Sequence, residues 1–165
     1  MKSLIISMAL LTITQVQTQG KMKEINKNNM KVRWKIEKIY IYFEIEAPTD
    51  GWVAIGFNES ASLAGTYLLM GHIQNGKVEV VEHYTDKPGS YKPIADYGIS
   101  NQTISISGYE KGNKTRLKFA IPIKKASKYH KQLLPGTKWT LLLAYSLEDD
   151  FQHHSIMRTS VDIEL

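Results

Sequence analysis

The chain has 165 residues, 42% of them hydrophobic and 22% charged, with a formal net charge of +5 and no cysteine. That length and balance fit one globular domain whose core is large enough to stand without staples. The missing cysteines exclude disulfides, zinc ribbons, cysteine nucleophiles and thioether-linked haem, so any metal must be held by His, Met, Tyr or carboxylates.

The first stretch, MKSLIISMALLTITQVQTQG, reads as a secretory leader. Lys2 precedes a short apolar run from Leu4 to Ile13, and no acid occurs before Glu24. The run is too short to cross a hydrocarbon layer of ~30 Å as a helix, which favours a cleaved signal peptide. The expected cut lies between about Val16 and Gly20, leaving one domain over residues 21–165, exported to a periplasm or secreted. No membrane span is expected in that mature chain, and its lysines are scattered without the basic-aromatic interleaving of a nucleic-acid binder.

Beyond the leader, short strands follow one another. KVRWKIE alternates from Val32 to Ile36. In KIYIYFEIEA, Ile39, Ile41, Phe43 and Ile45 point one way and Tyr40, Tyr42, Glu44 and Glu46 the other, the period of a half-buried strand. The breakers Pro48, Asp50 and Gly51 make a turn before GWVAIGF. A loop, NESASLAG, leads to TYLLMGHIQ. Asn75-Gly76 then tolerates positive φ at both central positions and predicts a two-residue hairpin into KVEVVEHY. TDKPGSYKPIADYGIS reads as a long loop. QTISISGYE and KTRLKFAIPI are strands about a turn at Lys111–Asn113, and KKASKYHKQLLPG is expected to hold one short helical turn. KWTLLLAYS and RTSVDIEL close the chain. About nine short strands separated by turn signals predict an all-β fold, an immunoglobulin-like antiparallel β-sandwich. The sequons at Asn58, Asn101 and Asn113 read as chance occurrences.

Catalytic signatures are few. There is no phosphate-binding glycine loop and no G-x-S-x-G elbow, and the adjacent acids Asp149 and Asp150 lack the facing partner that glycosidase chemistry needs. A binding or electron-transfer role is therefore expected, and catalysis is not. Among the histidines, His83 and His130 stand in polar surroundings and are expected at the surface. His72 shares a strand face with Met70 and Leu68. His153 and His154 sit at a loop-to-strand junction and, being adjacent, point in different directions, so one of them at most serves a given site.

The segments GWVAIGFN, SLAGTYLLMG, NGKVEV and LLLAYSLEDDFQHHSIMR, taken in this order, resemble a DOMON domain, over about Met30 to Leu165. The resemblance implies an exported sandwich of a kind that includes haem b electron carriers, with redox partner proteins, and domains beside copper monooxygenases. It places the family's ligating histidine, in a segment like H-S-x-x-R, on His154. The family's methionine position falls on Leu63, which cannot bind iron, and the family's acidic residue is replaced by Tyr67. Three readings follow: Met70 supplies the sulfur; the haem has one protein ligand or finds a second in His153, His72 or Met157; or the fold is kept without haem. On the haem reading, Trp52, Ile55, Phe57, Leu63, Leu68 and Met70 line the pocket, and Arg158 pairs with a propionate. The alternative is a module for carbohydrate or another small molecule, presenting Trp52, Tyr67, Tyr91 and Tyr97.

Overall fold

The computed structural model describes residues 21–165, so the predicted leader lies outside the described residues. Two antiparallel sheets face each other. The five-stranded sheet runs β1 (Lys23–Lys27), β2 (Met30–Glu37), β3 (Tyr40–Ala47), β9 (Thr115–Pro122), β8 (Ile104–Glu110). The six-stranded sheet runs β11 (Met157–Glu164), β10 (Lys138–Tyr145), β4 (Val53–Asn58), β5 (Thr66–Gln74), β6 (Lys77–Lys87), β7 (Ser90–Pro93). The sandwich expected from sequence is thus present, with eleven strands instead of nine. The two additions, KEINK and SYKP, are edge strands paired on one side only. Edge strands bury little of either face, so they carry no apolar alternation to read.

Alternation sets the core. Ile41, Phe43 and Ile45 of β3 meet Val53, Ile55 and Phe57 of β4 and Leu117, Phe119 and Ile121 of β9 in one buried cluster. Phe43 anchors it, with ring centroids 5.8 Å from Phe57 and 5.6 Å from Phe119. Asn75 and Gly76 have φ of 53° and 74°, so the predicted hairpin forms. The expected helical turn between β9 and β10 does not. That segment is irregular, and it carries His130 inward.

His130 meets a buried carboxylate. Glu82 on β6 is fully buried and collects donors from several directions. Tyr67 Oη donates to Oε2 at 2.8 Å, and His130 Nε2 lies 3.1 Å from the same oxygen. On Oε1 it accepts from the amides of Gln102 and Thr103 at 2.5 and 2.6 Å and from Thr103 Oγ1 at 2.7 Å. Ser127 Oγ stands 2.7 Å from His130 Nδ1, so the irregular segment is tied to β6 through the imidazole. Burial alone pushes the Glu82 carboxyl up. The hydrogen bonds from His130, Thr103, Tyr67 and Gln102 outweigh it and hold the group below the usual carboxylate range. Tyr67, buried against that charge, is pushed well above the ordinary phenol value by burial and by Glu82.

The outward face of the five-stranded sheet is polar. Glu44 pairs with Arg33 at 3.3 Å and Lys118 at 2.6 Å, and Glu46 pairs with Lys114 at 3.1 Å and with Arg116. Each exposed pair contributes under ~1 kcal/mol.

Replacing Glu82 by Ala orphans the donors of Tyr67, His130, Gln102 and Thr103 and is expected to cost about 3 kcal/mol in urea unfolding. The folded carboxyl's value is depressed. The wild-type advantage over Glu82→Gln is therefore fully present above the unfolded value near 4.5 and is lost as pH falls through the lower folded value. Unfolding curves between pH 7 and pH 3 check this.

Candidate functional site

The opposite outer face, that of the six-stranded sheet, has a different character. Alternation along β4 sends Val53, Ile55 and Phe57 inward and leaves Ala54 and Gly56 outside. Register then defines two rows across the sheet. One runs Arg158, Ala144, Ala54, Met70, Val81; the other runs Ser160, Leu142, Gly56, Leu68, His83. The middle of each row has a small residue where its flanks have large ones. A Cβ on Gly56 would come within 2.7 Å of Thr66 Cγ2 and 3.3 Å of Leu68 Cδ1. Ala54, Gly56 and Ala144 thus make a low line between larger side chains, a trough that Thr66 and Leu68 fill over Gly56 and that Phe151 packs against beside Ala54 and Ala144.

Trp52, Ala54 and Met70 form a second buried apolar cluster here, separate from the inter-sheet core, with Leu68, Tyr91, Ala144 and Phe151 packed against it. Phe151 arrives on the connection between β10 and β11. That connection is stitched to the sheet at its start: Ser146 N–H donates to the Trp52 carbonyl and Trp52 N–H to the Glu148 carbonyl, both at 3.0 Å. Gly51 permits the approach, since a Cβ there would sit 2.5 Å from Glu148 N. At the far end, Ile156 N–H donates to the Tyr145 carbonyl at 2.9 Å.

Between these points the connection crosses the face. The Asp149 carbonyl accepts from His72 Nδ1 at 2.6 Å, and Tyr91 Oη donates to the Phe151 carbonyl. The Phe151 ring stacks on His72 at 4.5 Å and 24° and meets His83 edge-on at 5.7 Å. Tyr91 packs edge-on to His83 at 5.7 Å. His72, Phe151, His83 and Tyr91 thus make a chain of ring contacts across the face.

Two polar atoms beneath this covering have no hydrogen-bond partner among the described residues: Trp52 Nε1 and Asp149 Oδ1. Trp52 is 4% exposed, and a buried N–H left unmade carries a penalty of ~1–3 kcal/mol. Burial pushes the Asp149 carboxyl up; His72 opposes this, and Asp50 and Glu148 add to it. His83 is displaced the other way. Burial lowers its imidazole below the usual value, against weaker opposition from the Val81 carbonyl and Asp96. Burial thus favours the uncharged ring.

Of the residues expected from sequence, Trp52, Leu68 and Met70 come together on this face. Phe57 and Ile55 do not: both are fully buried between the sheets, because β4 alternates and Trp52, Ala54 and Gly56 take the outward positions. Leu63 is half-buried in the loop between β4 and β5, outside the cluster, where its carbonyl accepts from Thr66 N–H at 3.2 Å. His154 is exposed and is fixed through its backbone, with Ser146 Oγ donating to its carbonyl at 3.0 Å. His153 and Arg158 are exposed as well, although Arg158 ends the row that contains Met70. Met157 packs toward the inter-sheet core. The four aromatics of the alternative reading do not share a surface. Tyr67 is in the interior, and Tyr97 stacks on Tyr129 at 4.3 Å and donates to Asp86 in a separate cluster.

Sequence reasoning missed His83, placed at the surface but 1% exposed, and His130, 6% exposed. It also missed Phe151 and the trough. The signal for the trough is present in WVAIGF, where Ala54 and Gly56 alternate with large residues. Among the described residues no group of three or more His, Asp or Glu side chains is placed to hold a metal ion, and no helix is long and apolar enough to cross a membrane.

The DOMON domain profile matches residues 26–146. This chain is a member of the DOMON domain family. A curated relative, MOXD1 homolog 2 of Drosophila melanogaster, is 26% identical over 122 residues, 74% of this chain. Those residues span only 16% of that relative's length. The cytochrome b domain of pyranose dehydrogenase from Coprinopsis cinerea superposes with a TM-score of 0.66 at 9% identity, covering 87% of this chain and 81% of the other. The cytochrome domain of Myriococcum thermophilum cellobiose dehydrogenase gives 0.63 at 10% identity, with the same coverages. These likenesses establish the fold. The family match stops at Ser146, so Phe151, His154 and Arg158 lie in a segment that it does not reach.

NMR titration of the ring protons is expected to give His83 a midpoint below 6.5. Replacing Phe151 by Ala, which lets water reach the ring, should raise that midpoint.

Proposed function

We propose that this DOMON domain is a non-catalytic ligand-binding module, exported from the cell, that takes haem b on the outer face of the six-stranded sheet for electron transfer. The observation that carries the reading is the apolar, small-floored trough beside a buried indole N–H that lacks an acceptor. With the Phe151 ring displaced, a flat macrocycle would lie over Ala54 and Ala144, with Leu68 and Trp52 as walls. The residues present suit the group chemically: a thioether in Met70, imidazoles in His72, His83 and His154, and donors for carboxylates in Trp52 Nε1 and Arg158. Met70 and Arg158 stand three strand spacings apart on one row, ~14 Å at the usual spacing. Met70 would hold the group from the sheet and His154 from the connection above it, while Trp52 and Arg158 would orient its propionates. When bound, haem supplies reversible one-electron chemistry at iron, and Met/His ligation favours electron transfer over catalysis. The superposition on cytochrome domains of two dehydrogenases supports the reading at the level of fold, and a redox partner is part of the proposal. Export rests on the leader-like residues 1–20.

Purified residues 21–165 titrated with haemin are expected to give a one-to-one complex with a sharp Soret band. His154→Ala and Met70→Leu should each weaken binding about tenfold and move the spectrum toward the high-spin form. A protein that remains folded by circular dichroism and colourless after reconstitution would refute the reading.

A further inference from the structure

Phe151 occupies the place that a flat ligand on this face would need. Its ring lies on His72, against His83 and over the Trp52–Met70 cluster. Three residues further on, His154 stands exposed. We infer that the connection between β10 and β11 is a two-position strap: in the free protein Phe151 fills the site, and ligand entry expels Phe151 and swings His154 over the face. This deepens the proposed function and rests on it for the identity of the natural ligand. The strap itself rests on contacts within the chain.

The attachments divide accordingly. Both ends are tied to the sheet by backbone hydrogen bonds, Ser146 and Glu148 to Trp52 and Ile156 to Tyr145. The middle is tied by side chains, through the His72 contact to the Asp149 carbonyl, the Tyr91 hydroxyl on the Phe151 carbonyl, the Phe151 ring, and the Ser146 hydroxyl on the His154 carbonyl, which must let go for His154 to swing. Side-chain ties can break while the ends hold. The covering is also imperfect, since it leaves Trp52 Nε1 and Asp149 Oδ1 buried without partners among the described residues. A better-matched occupant would supply an acceptor for the indole, and expulsion of the strap would return Asp149 to water. A site filled by its own chain binds with an apparent affinity reduced by the fraction of time it is filled. Weakening the plug must therefore tighten binding.

The test compares wild type, Phe151→Ala and Tyr91→Phe with two probes, haemin and metal-free protoporphyrin IX. The second needs the trough but no axial ligand. Phe151→Ala is expected to bind both probes about tenfold more tightly than wild type, and Tyr91→Phe, which keeps the ring but loses the tie, about threefold more tightly. Thermal melts confirm folding, and Tyr91→Phe carries the comparison if Phe151→Ala unfolds. If wild type binds haemin with axial ligation and neither variant binds more tightly, the strap is wrong and the haem reading survives. If porphyrin affinity rises in the variants but no form ligates iron, the strap holds and the haem reading fails. If no form binds either probe, both are overturned.

Discussion

The register of β4 between β5 and β10 is the constraint on which the rest depends. It is a central strand of the six-stranded sheet, and its alternation sets the floor of the site. Val53, Ile55 and Phe57 lock into the inter-sheet core against Phe43. Ala54 and Gly56 are thereby forced outward. Their neighbours across the ladder, Ala144 on one side and Leu68 and Met70 on the other, follow by pairing. A slip of one residue would bury the small side chains and expose the large ones. The penalty for that slip protects the trough as firmly as it protects the core.

The second organising feature is electrostatic. A chain with no cysteine that includes an irregular segment between β9 and β10 has to fasten that segment by other means. It does so with a charge placed in the interior and saturated by donors. Glu82 links β5 through Tyr67, the approach to β8 through Gln102 and Thr103, and the irregular segment through His130. The resemblance drawn from the sequence leads one to expect an acid at the position that Tyr67 occupies. Here the phenol reaches back to an acid on the neighbouring strand, so a carboxylate is present from a different point in the chain.

Much of this architecture is legible in the amino-acid order. Strict period-two runs such as IYIYFEIEA mark the central strands, and Asn75-Gly76 marks its hairpin, because local chemistry decides them. KEINK and SYKP are not legible, since each is short and offers a single inward apolar side chain, Ile25 or Tyr91, which makes no alternation. The site is half legible. Trp52, Leu68 and Met70 share a face by simple counting. Phe57 joins them only by its chemistry, and counting sets it on the other side. His83 and His130 illustrate a different limit. Polar neighbours in sequence suggest exposure, yet in a strand those neighbours face away, and in a loop a single buried carboxylate can draw the ring inward.

The edges of the five-stranded sheet have a consequence for how the molecule behaves among its copies. β1 closes one edge with lysines and a glutamate, and Arg33 and Lys31 on β2 pair with that Glu24. β8 closes the other with a register break between Ile104 and Ser107. Charge at one rim and a kink at the other both discourage a neighbouring chain from adding a strand. The apolar Ile104 and Ile106 on β8 are exposed, but the backbone beside them is out of step with a regular ladder. Crowding by identical molecules should therefore meet, at both rims of this sheet, a backbone that discourages sheet-to-sheet growth.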